Sequence, residues 1–282
     1  MKSTLELPVS DNDPSWWDDG DLLMAIDLGY DESGSDQILL VSMQLGVGED
    51  ARKLKRRWRA FLRKHHLPYF HSKEFSDSLG GIFAGINRPK RERLLQNLVN
   101  LIRLRLRIGM TVRIDLSKYE ETTSPEFRSR YGTAYSCAIN VLLLGASLYM
   151  DVFKLGKDVN ILVEDGHRNS RQALEILNDL KKSEPPQAPV RILTAALGSK
   201  RDHPILQAAD MLAYSEWQKI SAGDLAIYHH LHAPGNAYQP EMIDDCIPDL
   251  VKVFTDGAAE IQRQRIEFGR KRTQEIELRQ KK

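Results

Sequence analysis

The chain is poor in cysteine: 2 in 282 residues, Cys137 and Cys246. That excludes a disulfide framework, and neither belongs to a Cys-x-x-Cys zinc spacing. Long apolar runs are also missing. The longest, Ala138 to Met150, is interrupted by Asn140, Gly145 and Ser147 and falls short of the roughly 20 residues that span a bilayer. Charge of one sign is not in excess, because 40 Lys and Arg face 39 Asp and Glu for a net +1. No global basic field therefore advertises nucleic acid. The first residues lack the basic, apolar character of a signal peptide: Glu6, Asp11, Asp13, Asp18, Asp19 and Asp21 stand against Lys2 alone. A soluble protein of a reducing cytoplasm, without membrane contact, is the expectation. No internal repeat and no convincing nucleophilic triad are present.

What is there is an ordinary globular composition, 41% hydrophobic and 28% charged, with length for one large domain or two small ones. The charge is segregated. Arg52, Lys53, Lys55, Arg56, Arg57, Arg59, Arg63 and Lys64 follow one another without an acid, and the last stretch, 262–282, is again mostly basic. Such runs are usually solvated helix faces. Trp58 and Phe61 among the arginines also suit a groove for a phosphate backbone.

Periodicity predicts the elements. Two short apolar runs, Leu22–Ile26 ending in Asp27 and Ile38–Leu45, flank a Gly-, Ser- and Asp-rich turn and read as a hairpin. A helix over 51–65 places Leu54, Trp58, Phe61 and Leu62 on one face. Further helices are expected over Arg88–Arg105, Tyr131–Met150, the segment after Asn169, and Pro204–Lys219. Strands are expected over Ile108–Ile114, Val159–Val163 and Val190–Ala195, and mainly helix beyond Gly223. The fold class is α/β, a mixed sheet flanked by helices. The expected organisation is an irregular acidic leader over 1–21, one domain over 22–220 and a helical extension over 221–282.

Several acids fall where acids are physically awkward. Asp27 closes the first strand, and Glu164 and Asp165 close the strand begun at Val159. Asp210 lies in an apolar helix, with Leu206, Ala213 and Tyr214 as helical neighbours and Gln207 as its one polar neighbour. A carboxylate there must be paired or bind a cation. Sites in α/β proteins gather at strand ends. If Asp27, Glu164 and Asp210 converge, their hard oxygens suit Mg²⁺ or Mn²⁺ and phosphodiester hydrolysis. The alternatives are plain: Asp27 caps a turn, Glu164–Gly166 is only a strand-to-helix turn, and Asp210 pairs with one of the 40 Lys and Arg residues. His65–His66 and His229–His230-x-His232 lack partner cysteines and read better as helix or loop than as zinc ligands.

Four motifs occur in order: Tyr30-Asp31-Glu32-Ser33-Gly34, Phe70-His71-Ser72-Lys73-Glu74-Phe75, Val163-Glu164-Asp165-Gly166-His167-Arg168-Asn169, and Leu206-Gln207-Ala208-Ala209-Asp210-Met211-Leu212-Ala213-Tyr214. Together they resemble the domain-of-unknown-function family 3800, over roughly residues 22–220. The resemblance implies a ribonuclease-H-like fold and a metal-dependent nuclease. It matches Asp210 to the acid of the last helix and Glu164 to the acid at a central strand end. His167 and Asn169 fall on the following Gly-His-x-Asn turn, and His71 matches a recurrent histidine. At the front the pattern departs, since the family's Asp-Glu-Ser-Gly acid ends the first strand itself. Here Asp27 is the expected ligand, with Asp31 or Glu32 the other register. The expected site is thus Asp27, Glu164 and Asp210 on Mg²⁺ or Mn²⁺, with His167 or His71 moving a proton or holding phosphate. Nucleic acid is the expected partner, DNA or RNA left open. A non-catalytic binding module and a nucleotide phosphohydrolase stay open as alternatives. The C-terminal basic helix offers a surface helix, a contact for a homo-oligomer or a nucleic-acid clamp.

Overall fold

The structure is a computed structural model, and it describes residues 22–27, 38–76, 81–165, 169–182, 190–221, 226–232 and 238–244. In chain order the elements are β1 (Leu22–Asp27), β2 (Ile38–Val47), α1 (Gly48–Lys64), α2 (Ser72–Ser76), a 3₁₀ turn at Gly81–Phe83, α3 (Arg88–Arg105), β3 (Ile108–Asp115), α4 (Leu116–Thr122), α5 (Pro125–Tyr131), α6 (Ala134–Val152), β4 (Asp158–Glu164), α7 (Ser170–Lys182), β5 (Arg191–Gly198), α8 (Pro204–Ile220), α9 (Ala226–Leu231) and β6 (Gln239–Asp244). The strands form one sheet in the order β5-β4-β1-β2-β3-β6. β1, β2 and β3 run as an antiparallel meander, while β4 lies parallel to β1, β5 parallel to β4 and β6 parallel to β3. This is a mixed α/β sheet flanked by helices, consistent with a ribonuclease-H-like α/β fold.

Strand alternation divides the core. Val41, Met43, Leu45, Met110, Val112, Ile161 and Val163 face one layer, with α6 and α7. Leu162 faces the other, where Leu54, Trp58, Leu98, Leu206 and Met211 of α1, α3 and α8 meet. The helix termini are encoded locally. Asn87 caps α3 by accepting the Lys90 N–H, and Pro89 stands in its first turn. Glu49 and Asp50 open α1, and Arg63 and Lys64 close it, as the helix dipole favours.

Two expectations are corrected. The helix read as Tyr131–Met150 is present but starts later, at Ala134. Tyr131 ends α5, Gly132 takes φ 87°, and a Thr133–Ser136 capping box starts α6. At 19 residues, α6 is long and apolar enough to cross a membrane by length and composition. It packs instead on β2 and β3 with Ala138, Leu142, Leu143 and Ala146 buried. The helical reading beyond Gly223 holds for α9 but not for Gln239–Asp244, which adds a strand at the β3 edge. Its pattern fails to show this because an edge strand tolerates Pro240 and needs no apolar alternation. The leader over 1–21 and the residues from 245 on lie outside the described residues.

Candidate functional site

β1 and β4 run in parallel with Ile26 opposite Val163, so the next residues, Asp27 and Glu164, stand at the same level of the sheet. Of Asp27 only the backbone is described. Glu164 follows Val163, which is buried on the α6 layer, and alternation turns it to the α8 side. There it meets Asp210 of α8 through a residue that the motifs did not single out. Lys200, between β5 and α8, sets its ammonium 3.0 Å from Glu164 Oε1 and 3.1 Å from Asp210 Oδ1. The carboxyl side chains are only 13% and 9% exposed. The ammonium therefore supplies part of the charge balance such burial requires. The alternative of an ion pair for Asp210 is thus what the structure contains. Only its position, just after a strand end and seven residues before Gln207, signals Lys200 in the sequence.

The second oxygen of Asp210 is fixed separately, since Oδ2 accepts the Ser72 backbone N–H at 2.8 Å. That segment carries His71, whose Nε2 lies 3.7 Å from Asp210 Oδ1 and whose Nδ1 lies 3.3 Å from Glu74 Oε1. Tyr69 donates its hydroxyl to Glu74 Oε1 at 2.7 Å, and the Ile82 N–H reaches Oε2 at 3.4 Å. Burial pushes the Glu74 carboxyl up. The hydrogen bonds from Tyr69, Ile82 and His71 outweigh it and hold the group below its ordinary value. Phe70 packs edge-on against Trp58 and Phe83 and tilted against Phe75, which itself meets Phe83 edge-on, and these contacts anchor the segment.

Gln207 ties these parts together rather than bonding to Asp210. Its Oε1 accepts from Trp58 Nε1 and from the Phe70 N–H, each at 2.8 Å, and its Nε2 donates to the Lys200 carbonyl at 2.6 Å. The Leu-Gln-x-x-Asp pattern thus has a physical reading. On one helix, Gln207 locks the two flanking segments and Asp210, a turn on, joins their functional groups.

A cation of α1 reaches the loop that carries Lys200. Arg59 of α1 donates to the Asp202 carbonyl at 2.7 Å, and Arg201 lies over the Tyr69 ring. Burial, then Arg59 nearby, pushes Lys55 down to about 8. Burial also lowers His203, with Lys55 and Arg59 adding to the effect against Asp202. Arg56 and Arg57 are exposed on α1.

Of the expected site, Glu164 and Asp210 are brought to one cation, and Asp27 is placed beside Glu164 by register alone. His167, Asp31, Glu32 and the basic segment 262–282 lie outside the described residues. Asp165 is exposed, and its N–H bonds to the Gly198 carbonyl. Among the described residues no group of three His, Cys, Asp or Glu could hold a metal ion. His232 instead pairs with the buried Glu216 at 2.9 Å. Two hard carboxylate oxygens that converge on one point fit part of a Mg²⁺ or Mn²⁺ donor set. The buried Ser72 hydroxyl, without a hydrogen-bond partner among the described residues, leaves polar capacity beside them. No family model matches the chain, and comparison with curated proteins returns no match.

Proposed function

We propose that the protein is a metal-dependent nuclease that hydrolyses nucleic-acid phosphodiesters. The observation that carries this reading is the meeting of Glu164 and Asp210, largely buried, at one cation beside the strand end that bears Asp27. The resemblance to the domain-of-unknown-function family 3800 points the same way. In this reading Asp27, Glu164 and Asp210 hold Mg²⁺ or Mn²⁺. When bound, the ion supplies an activated water and relieves charge on the leaving oxygen. Asp210 keeps its orientation through the Ser72 N–H. His71, held between Glu74 and Asp210, moves a proton at Nε2, and His167 orients phosphate or shares that role. Arg56, Arg57 and Arg59 hold the phosphate backbone.

Cleavage of labelled DNA and RNA oligonucleotides tests this. Activity should require added Mn²⁺ or Mg²⁺, stop with chelator, and fall at least about a hundredfold in Asp210→Asn. Full activity in that variant would contradict the reading.

A non-catalytic nucleic-acid-binding module is the second reading, and the Lys200 bridge favours it because an ammonium already satisfies both acids. That module would bind nucleic acid in a salt-sensitive way without metal. Charge reversal at Arg56, Arg57 and Arg59 should weaken a polymer-binding protein steeply. A phosphohydrolase of free nucleotides would be little affected.

A further inference from the structure

The backbone at Lys200 is pinned, because Gln207 Nε2 donates to its carbonyl at 2.6 Å. Beyond that anchor a four-carbon stem carries the ammonium to Glu164 Oε1 and Asp210 Oδ1. These oxygens face Lys200, while Asp210 Oδ2 accepts the Ser72 N–H. A divalent ion about 2.1 Å from both oxygens, on the side that Lys200 occupies, would overlap its ammonium about 3 Å away and be repelled by it. On that side only one can be in place.

We propose that Lys200 is the site's built-in counter-ion, which competes with a divalent cation for Glu164 and Asp210 and leaves them when a substrate phosphate takes its ammonium. The inference rests on the metal-dependent reading above. Lysine suits the task as a compact charge on a flexible stem, able to exchange one oxygen partner for another. Without metal or phosphate, the tethered ammonium offsets one of the two negative charges of these largely buried acids. A phosphodiester draws Lys200 off the acids, and the acids then accept the metal. A bound metal in turn drives Lys200 toward the phosphate. Metal and nucleic acid thereby raise one another's affinity by a single coupling factor. A positioning role for Lys200 follows, in which it times metal entry to substrate.

The test is calorimetric titration of Mn²⁺ into the full chain at one pH, with and without a phosphorothioate oligonucleotide. Wild type should bind Mn²⁺ weakly alone and roughly tenfold more tightly with the oligonucleotide, an ordinary coupling. Lys200→Met should bind Mn²⁺ alone roughly tenfold more tightly than wild type and gain little from the oligonucleotide. If wild type binds Mn²⁺ and Lys200→Met binds it no more tightly, the competition is wrong and the metal site survives. If neither binds Mn²⁺, even with oligonucleotide, the metal-dependent reading fails and this inference fails with it. Should Lys200→Met not fold, reductive methylation of wild type read by mass spectrometry decides. Saturating Mn²⁺ should raise modification of Lys200 several-fold relative to the other lysines, and an unchanged Lys200 overturns the proposal.

Discussion

The Gln207 side-chain carbonyl accepts the backbone N–H of Phe70 at 2.8 Å, across 137 positions of sequence. One amide thus holds the segment that carries His71 and Ser72 against the helix that carries Asp210. The same amide also holds Trp58 and the Lys200 carbonyl.

Gln207→Leu keeps the volume and removes every one of those bonds. Two buried donors, Trp58 Nε1 and the Phe70 N–H, lose their partner at about 1–3 kcal/mol each. The variant should therefore lose about 2–5 kcal/mol in urea unfolding. Tryptophan emission should shift to the red as the Trp58 contact loosens. A loss within a few tenths of a kcal/mol would show that Gln207 is not the clamp.

Glu74 should titrate below an ordinary glutamate, because Tyr69, Ile82 and His71 all stabilise its charged form against the opposing effect of burial. Its folded value is the lower one. Its contribution to stability is therefore complete above the unfolded value and is lost as pH falls through the folded value. Tyr69→Phe removes a hydrogen bond from the carboxylate and should raise the Glu74 midpoint in a carbon-detected NMR titration. An unmoved midpoint would contradict the network.

Lys55 should be readily acylated near pH 8. Burial and Arg59 bring its pKa to about 8, so a large share of its amine is neutral there. Competitive labelling across pH should give Lys55 a midpoint near 8, and Arg59→Gln should move it upward. In the unfolded chain Lys55 holds its proton to higher pH, so the lowered value costs the fold stability at neutral pH. That cost is recovered as pH rises from about 8 toward 10.5. A labelling midpoint near 10.5 would contradict this environment.

Much of the fold is legible in the residues. The alternation of Ile108–Ile114 and the spacing of Leu54, Trp58 and Leu62 give β3 and α1, because Ile108, Met110, Val112 and Ile114 share the core face of β3 and α1 buries one stripe. The short helices α2, α4 and α5 carry too few turns to show a period. β6 is set by pairing with β3 rather than by its own pattern. In the site, the awkward burial of Asp210 is visible because its helical neighbours are apolar. Lys200 is marked by nothing but its position after a strand end, which does not set it apart among 40 basic residues until the chain folds. The role of Gln207 is hidden for the same reason, because its partners at Trp58, Phe70 and Lys200 are distant or lie in loops.

The most direct test of the central claim is the rate at which purified wild type and Glu164→Gln cleave an end-labelled oligonucleotide in Mn²⁺. The substitution preserves shape but replaces the carboxylate that meets Lys200 at the end of β4. The account predicts metal-dependent cleavage by wild type and at least about a hundredfold less by the variant, with unchanged circular dichroism. Equal cleavage by both proteins, or none by wild type on any DNA or RNA strand, would contradict it.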